Sequence, residues 1–292
     1  MSNPPHYRGR FAPSPTGALH FGSLVAAVAS YADALHHQGQ WLVRMEDVDE
    51  TRVIPGSADD ILNTLEAFGF EWASPVVFQS QRKSRYRDAL RTLQQQNLTY
   101  ICDCSRRQIA KQAVSGIEGF VYPGNCRKNR GALVAGKATR LLTRPDEICF
   151  FDRIAGKQCQ VLTRDVGDFI IHRADGYSAY QLAVVVDDAD QGITHIVRGA
   201  DLLLSTPRQL YLQQLLDFPE PSYAHVPLVT DTQGRKLSKQ DQDRPVTSKT
   251  PLAGLVAAWQ FLRQAPPPKD IMHVAEFWIW AATHWNIQRI GF

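Results

Sequence analysis

His20 and Gly22 stand at the first turn of an apolar helical pattern, in the stretch "GRFAPSPTGALHFGSL" (9–24). A loop stiffened by Pro13 and Pro15 and broken by Gly17 precedes them. A helix N-terminus offers free N–H groups and partial positive charge, so the stretch reads either as an anion site or as a plain strand–turn–helix connector. A second chemical cluster is Cys102, Cys104 and Cys126. Five cysteines with three so crowded make a poor disulfide framework and a better metal-site pattern in a reducing compartment. Cys149 and Cys159 read as core residues. Far along the chain, "KLSK" (236–239) is a lysine loop that alone suggests only a solvated surface turn.

These residues need elements to position them. Residues 7–12 read as a short strand, followed by Leu24, Val25, Val28, Ala32 and Leu35 at helical spacing, with Gly39 as the stop. "WLVRMEDVDE" (41–50) reads as a buried strand ending in acids, and 57–70 as a helix with Ser57 as N-cap and Gly69 beyond its end. This β-α-β-α order implies an α/β fold with a Rossmann-type doubly wound parallel sheet, where ligands bind outside the carboxyl ends of the strands. From about 86 to 165 the pattern changes to a basic helix (roughly 82–96), the cysteines and short strand candidates, as in an insertion. Order returns over 168–203, where an Asp175–Gly176 turn and two β-branched runs read as strands. A helix capped by Ser205 or Thr206 follows, then a strand leading to the lysine loop. The expected organisation is therefore a catalytic domain in two halves, 1–85 and 166–230, around an inserted zinc-bearing α/β subdomain, 86–165. The lysine loop and a short helical C-terminal region, 231–292, follow, and the aromatics of the last helix read as a packing face.

Composition narrows the class. The chain has 292 residues, 44% hydrophobic and 21% charged, with a net charge of +3, as in an ordinary globular protein. No apolar run reaches the roughly 20 residues that span a bilayer, and the N-terminus lacks a signal-like apolar core, so a cytoplasmic protein without a membrane partner is expected. Between 82 and 130, eleven Lys and Arg face three Asp and Glu, a local excess of about +8 that suits either a polyanion partner or a solvated helix face.

"HFG" (20–22) and "KLSK" taken together resemble the paired signatures of class I aminoacyl-tRNA synthetases. The blocks "RFAPSPTGALHFG", "RMEDVD", "VVVDDADQGITHIVRGADL", "STPRQ" and "AHVPLV…GRKLSK" narrow the resemblance to the glutamyl branch, over roughly residues 8–240. The resemblance implies ATP binding by His20, Gly22, Lys236, Ser238 and Lys239, with His20 and Lys239 catalytic. It implies a glutamate pocket from Arg10, Ala12, Ser14, Glu46, Tyr180 and Arg198. That set is chemically apt: arginine offers a planar fork to a carboxylate, and one acid receives an ammonium.

The chain leaves no room for the anticodon-binding region of a full glutamyl-tRNA synthetase, so it is similar to the glutamyl-Q tRNA(Asp) synthetase family. That family activates L-glutamate with ATP, for which Mg2+ is expected, and transfers it to the cyclopentenediol of queuosine in the anticodon of tRNA(Asp). A monomer is expected. For Zn2+, the fourth ligand implied by the resemblance is Tyr122, beside Cys102, Cys104 and Cys126; the His of many relatives is Lys128 here. The alternative is a member that lost its metal and kept buried thiols. Other departures are Ser23 after "HFG" and "RGADLL" in place of "RGEDH". His172, His195 and His225 fall in strand patterns and read as packed residues, and His36 and His37 as dressing a helix C-terminus. Two rival functions stay open on sequence: a compact glutamyl-tRNA synthetase charging the tRNA 3′ end, and a non-catalytic RNA-binding paralogue.

Overall fold

The computed structural model describes residues 6–131, 133–229 and 246–292, so Lys236, Ser238 and Lys239 lie outside the described residues. Strand β1 (Arg8–Phe11) leads through the proline loop into helix α1 (Phe21–His36) and back to β2 (Gln40–Met45), parallel to β1. The residue that turns the chain out of α1 is Gln38, at φ 51, and not Gly39. Gly39 serves a different need, because a Cβ there would come within 2.5 Å of the Tyr7 carbonyl oxygen. Helix α2 (Ser57–Ala67) starts one residue earlier than its predicted cap: left-handed Gly56 is the N-cap and Ser57 the first helical residue. Gly69, at φ 70, follows its end as expected.

After β3 (Val77–Phe78) comes the basic helix α3 (Lys83–Gln95). Strand β4 (Thr99–Cys102), helix α4 (Arg106–Ala110), the small hairpin β5 (Ser115–Gly116) and β6 (Gly119–Phe120), and β7 (Ala138–Leu141) form the cysteine-bearing region. A hairpin of β8 (Glu147–Asp152) and β9 (Gly156–Val161) follows, then the turn α5 (Leu162–Asp165) and β10 (Ile170–His172). The second half holds α6 (Tyr180–Asp190), β11 (His195–Gly199), α7 (Thr206–Leu216) and β12 (Ser222–Val226). Helices α8 (Pro251–Phe261) and α9 (Val274–His284) end the chain.

Strands β1, β2 and β3 pair in parallel, as do β11, β12 and β8. The two sets meet where Thr194 N–H donates to the Arg8 carbonyl at 3.0 Å, so β1 and β11 run side by side. The predicted doubly wound parallel sheet is thus present, with β9 antiparallel at its edge. A separate antiparallel sheet, β10-β7-β4, carries the cysteines' strand.

Two pieces of the 86–165 stretch join the main layers. Helix α3 packs on α6, where Tyr86 donates to Asp187 at 2.8 Å. The β8–β9 hairpin hydrogen-bonds to β12 through Asp152 and Tyr223. That hairpin also overturns the reading of Cys149 and Cys159 as core residues. Antiparallel register sets them directly opposite, on an exposed face, and they form a disulfide. Cysteine counting sees neither register nor face.

A large core lies under α1, α8 and α9, with Trp259, Phe277 and Trp278 inside. The aromatic helix does pack: Trp278 donates its indole N–H to the Phe68 carbonyl at 2.9 Å. Its opposite face leaves Ile279 exposed. No helix among the described residues is long and apolar enough to cross a membrane.

Candidate active site

The strands β1, β2, β11 and β12 end around one cavity of about 280 Å³. It opens at the switch between β1 and β11, where a doubly wound sheet separates its two crossover directions and leaves a crevice. Arg10, Ala12, Ser14, His20, Gly22, Glu46, Tyr180 and Arg198, expected to serve two ligands, all line this one cavity. The loop that carries Ala12 and Ser14 is fastened to its neighbours: Glu46 N–H donates to the Pro13 carbonyl at 2.9 Å, and Ile54 N–H to the Pro15 carbonyl at 3.0 Å.

Charge in the cavity wall is organised in two groups. In the first, Asp188 accepts from Arg10 Nε at 3.2 Å and from Arg44 Nη1 at 2.8 Å, while Arg44 Nη2 reaches Glu46 Oε1 at 3.3 Å. Burial works against the charge of Asp188, yet the two arginines hold its carboxyl below the usual range. For Glu46 burial wins, and its carboxyl is raised despite Arg44 and Arg10. Glu46 is therefore the wall's loosely compensated acid, suited to a cation.

The second group is Arg198, 5% exposed. Its Nε donates to His225 Nε2 at 3.0 Å and its Nη2 to Thr206 Oγ1 at 2.9 Å, both neutral acceptors. Its Nη1 is buried without a hydrogen-bond partner. No carboxylate pairs with Arg198 among the described residues. An unpaired buried cation is costly, and an anionic ligand would relieve it.

The opposite end of the cavity is the N-terminus of α1. His20 caps the helix, with Nδ1 accepting from Ser23 N–H at 3.2 Å. The first turn holds no acid, so its positive end is not neutralised by the helix itself. Gly22 sits beneath the His20 ring, and a Cβ there would lie 3.2 Å from it. Val229 lines the cavity, and Val246 N–H donates to the carbonyl of Leu19, another lining residue. The chain thus leaves and re-enters the described residues beside the cavity.

Away from the cavity, the Sγ atoms of Cys102, Cys104 and Cys126 lie within 4.8 Å of one another. The Tyr122 hydroxyl is 3.4 Å from Cys102 Sγ and 3.5 Å from Cys104 Sγ, and it accepts from Cys126 N–H at 3.1 Å. Four donors converging this closely fit a tetrahedral ion such as Zn2+. The Arg140 guanidinium lies 3.8 Å from the centre of the Tyr122 ring.

His225 is packed and hydrogen-bonded, as its strand pattern suggested, and it stands directly behind Arg198. Sequence reasoning missed Asp152, which accepts from His225 Nδ1 at 2.6 Å. It also missed Asp188, which bridges two arginines. His195 stacks on Tyr7 at 4.1 Å, and His37 caps the C-terminal end of α1.

The chain matches the family model for tRNA synthetases class I (E and Q), catalytic domain, over residues 6–265. It is 53% identical over 296 residues to a glutamyl-Q tRNA(Asp) synthetase of Dechloromonas aromatica (strain RCB), covering 99% of this chain and 97% of that relative. Identity to a protein of the same name from Neisseria meningitidis serogroup B is 51% over 293 residues, 97% of both chains. Among solved structures, a glutamate-tRNA synthetase from Elizabethkingia anophelis superimposes with a TM-score of 0.79 at 22% identity. That match covers 98% of this chain and 67% of the other, and it establishes the shared fold.

Proposed function

The chain belongs to the class I tRNA synthetases of the glutamyl and glutaminyl (E and Q) branch, a family of ATP-dependent ligases, and from that premise we propose that it glutamylates queuosine in the anticodon of tRNA(Asp). The observation that carries the substrate reading is the pairing within one cavity of a buried guanidinium bound only to neutral groups, Arg198, and a loosely compensated acid, Glu46. Such a pair suits an amino acid with an anionic side chain: Arg198 takes the side-chain carboxylate and Glu46 the ammonium. Arg10, Ala12, Ser14 and Tyr180 complete the walls of that subsite.

In the proposed first step, an oxygen of glutamate's α-carboxylate attacks the α-phosphorus of ATP. The bond to the bridging oxygen breaks and pyrophosphate leaves; Mg2+ bound to ATP would offset the charge on the phosphates. The same reading gives the phosphates to His20 and the α1 N-terminus, which line the other end of the cavity, and the resemblance assigns Lys236, Ser238 and Lys239 to the charge on the departing group. This is catalysis by positioning and electrostatics, with no covalent nucleophile from the protein. In the second step a hydroxyl of the cyclopentenediol attacks the adenylate carbonyl, the bond from that carbon to the phosphate oxygen breaks, AMP leaves, the hydroxyl proton passes to the departing phosphate or to water, and an ester remains. An unpaired anticodon nucleotide is the kind of RNA feature that proteins read by stacking and edge contacts. Cys102, Cys104, Cys126 and Tyr122 would hold Zn2+, whose contribution is to cross-link the 99–141 region.

The test locates the transferred glutamate. Protein, labelled glutamate, Mg·ATP and tRNA from queuosine-containing cells are incubated and digested with nuclease. Label on the anticodon nucleoside, lost when the tRNA lacks queuosine, is expected. Label on the 3′-terminal adenosine would instead identify a compact charging enzyme, and absence of glutamate-dependent ATP–pyrophosphate exchange would point to a binding module.

A further inference from the structure

The support of Arg198 comes from three residues that touch no substrate in the proposed reading: His225 and Thr206 directly, and Asp152 through His225. Asp152 is fixed first. Its Oδ1 accepts three backbone N–H groups, from Ala155 at 2.8 Å, Ile154 at 3.0 Å and His225 at 3.2 Å. Its Oδ2 is left to face His225 Nδ1 at 2.6 Å. A carboxylate only accepts, so Nδ1 carries the proton and Nε2 of the neutral ring is a lone pair. That lone pair takes the Nε–H of Arg198 at 3.0 Å. Beside it, Thr206 Oγ1 takes Nη2 at 2.9 Å and lies 3.1 Å from the Leu202 carbonyl.

We propose that Asp152 and His225 are positioning residues for recognition of the substrate's side-chain carboxylate. They hold the imidazole in the tautomer that accepts from Arg198, and so they orient the guanidinium without adding a counter-charge. The arrangement rests on the reading of Arg198 given above. Its logic is a choice of acceptor. A carboxylate in place of the His225 ring would also orient Arg198, but it would neutralise the guanidinium and compete with the ligand. A neutral imidazole orients it and leaves the positive charge for the cavity. The ring faces Asp152 from β8, Arg198 from β11, Thr206 from α7 and the more distant charge of Arg10 from β1. Burial, helped by the two arginines and opposed by Asp152, pushes the imidazole down to about 4. It therefore stays neutral at ordinary working pH.

The experiment is glutamate-dependent ATP–pyrophosphate exchange with the whole chain, reading KM for glutamate and for ATP separately. In Asp152→Asn, the three backbone donors keep the amide oxygen at the Oδ1 position, so the amide NH2 faces Nδ1. The ring proton then moves to Nε2 and meets the Arg198 Nε–H donor to donor. The glutamate KM is expected to rise roughly ten- to hundredfold while the ATP KM stays within about twofold. His225→Phe, similar in shape without an acceptor, should do the same. His225→Gln restores an acceptor and has no tautomer to invert, so it should be milder, and adding Asp152→Asn to it should change the glutamate KM little.

The proposal is overturned if Asp152→Asn and His225→Phe melt cooperatively yet leave the glutamate KM unchanged, or raise both KM values alike. Should those two variants fail to fold, His225→Gln decides. It alters the acceptor without emptying the site, so the glutamate KM should rise a few-fold while that for ATP is spared, and an unchanged value refutes the positioning role. A wild-type chain that shows no glutamate-dependent exchange fails differently, since it removes the substrate reading before any variant is compared.

Discussion

Arg153 grips Asp33 with both terminal guanidinium nitrogens, at 2.6 and 2.9 Å, across 120 positions of sequence. Asp33 is fully buried in α1, and it also accepts from the Tyr7 hydroxyl at 2.6 Å and the Trp285 indole at 2.9 Å. One carboxylate thus ties the segment before β1, the helix at the cavity, the hairpin turn and the end of α9. Burial alone would raise its pKa, but Arg153, Tyr7 and Trp285 together hold it below the ordinary range.

Arg153→Ala would leave that carboxylate buried without its cation. Removing one partner of a buried pair typically costs about 3–5 kcal/mol. Because the Arg153 side chain is itself 20% exposed, the lower end is expected, read from urea or thermal unfolding. A loss below about 1 kcal/mol would show that the other donors suffice.

Acid should unfold the wild type through the same group. Asp33, and Asp168, which accepts from Arg127 at 2.7 and 2.9 Å, are both depressed in the folded state, so the unfolded chain binds more protons as pH falls. Their stabilisation is complete above the ordinary aspartate value of about 4 and is lost as pH drops through their folded values. The urea midpoint should fall as pH drops from about 5 downward through the folded values of these carboxylates, and less steeply in Arg153→Ala. Parallel slopes in the two proteins would contradict the role of Asp33.

Much of this was legible from sequence, and the limits have physical reasons. The periodicity of α1 and the block spacing located β1, β2 and the helix between them, because those signals are local. The residues proposed to bind the substrates were legible as motif positions, and the structure gathers Arg10, His20, Glu46 and Arg198 around one cavity. What stayed hidden depends on non-local register. Asp152 reaches His225 only because β8 pairs with β12, and Cys149 meets Cys159 only because β8 pairs with β9. The N-cap of α2 slipped by one residue because a left-handed glycine can start a helix where serine was expected.

Glu46→Gln separates binding from stability. A carboxyl raised in the folded state is destabilising once pH exceeds its unfolded value of about 4.3, so neutralising it removes a penalty at pH 7. Arg44 keeps Asp188 and Gln191 at 2.8 and 2.7 Å, so it is not stranded. The variant should be as stable as the wild type to within about 1 kcal/mol, with a glutamate KM roughly ten- to hundredfold higher. An unchanged KM would remove Glu46 from the ammonium site.

Gly22→Ala places a Cβ 3.2 Å from the His20 ring, tight enough to displace it. The neighbouring Val229 side chain is 3.8 Å away, so the fold should tolerate the methyl. We expect the ATP KM to rise several-fold with a smaller change for glutamate, measured by pyrophosphate exchange. Equal change in both would argue that residue 22 shapes the whole cavity rather than its phosphate end.

Metal analysis should find one Zn2+ per chain. Cys126→Ser should abolish it and lower the melting temperature, and Tyr122→Phe should retain the ion but release it to weaker chelators. Tyr122→Phe with unaltered chelator resistance would remove the phenol from the ligand set.

The β8–β9 turn places two adjacent, oppositely charged residues on separate duties. Asp152 reaches His225 behind the cavity, and Arg153 reaches Asp33 in α1. Residues 86–165 therefore do not form an exchangeable cassette. A chimera that swapped the whole stretch between relatives would import a foreign turn into both networks at once. A cut before β8, near residue 145, would leave the host's turn in place but would part β7 from β10, its partner in the cysteine-bearing sheet. Recombination within this stretch should therefore be selected against unless both partners are exchanged together.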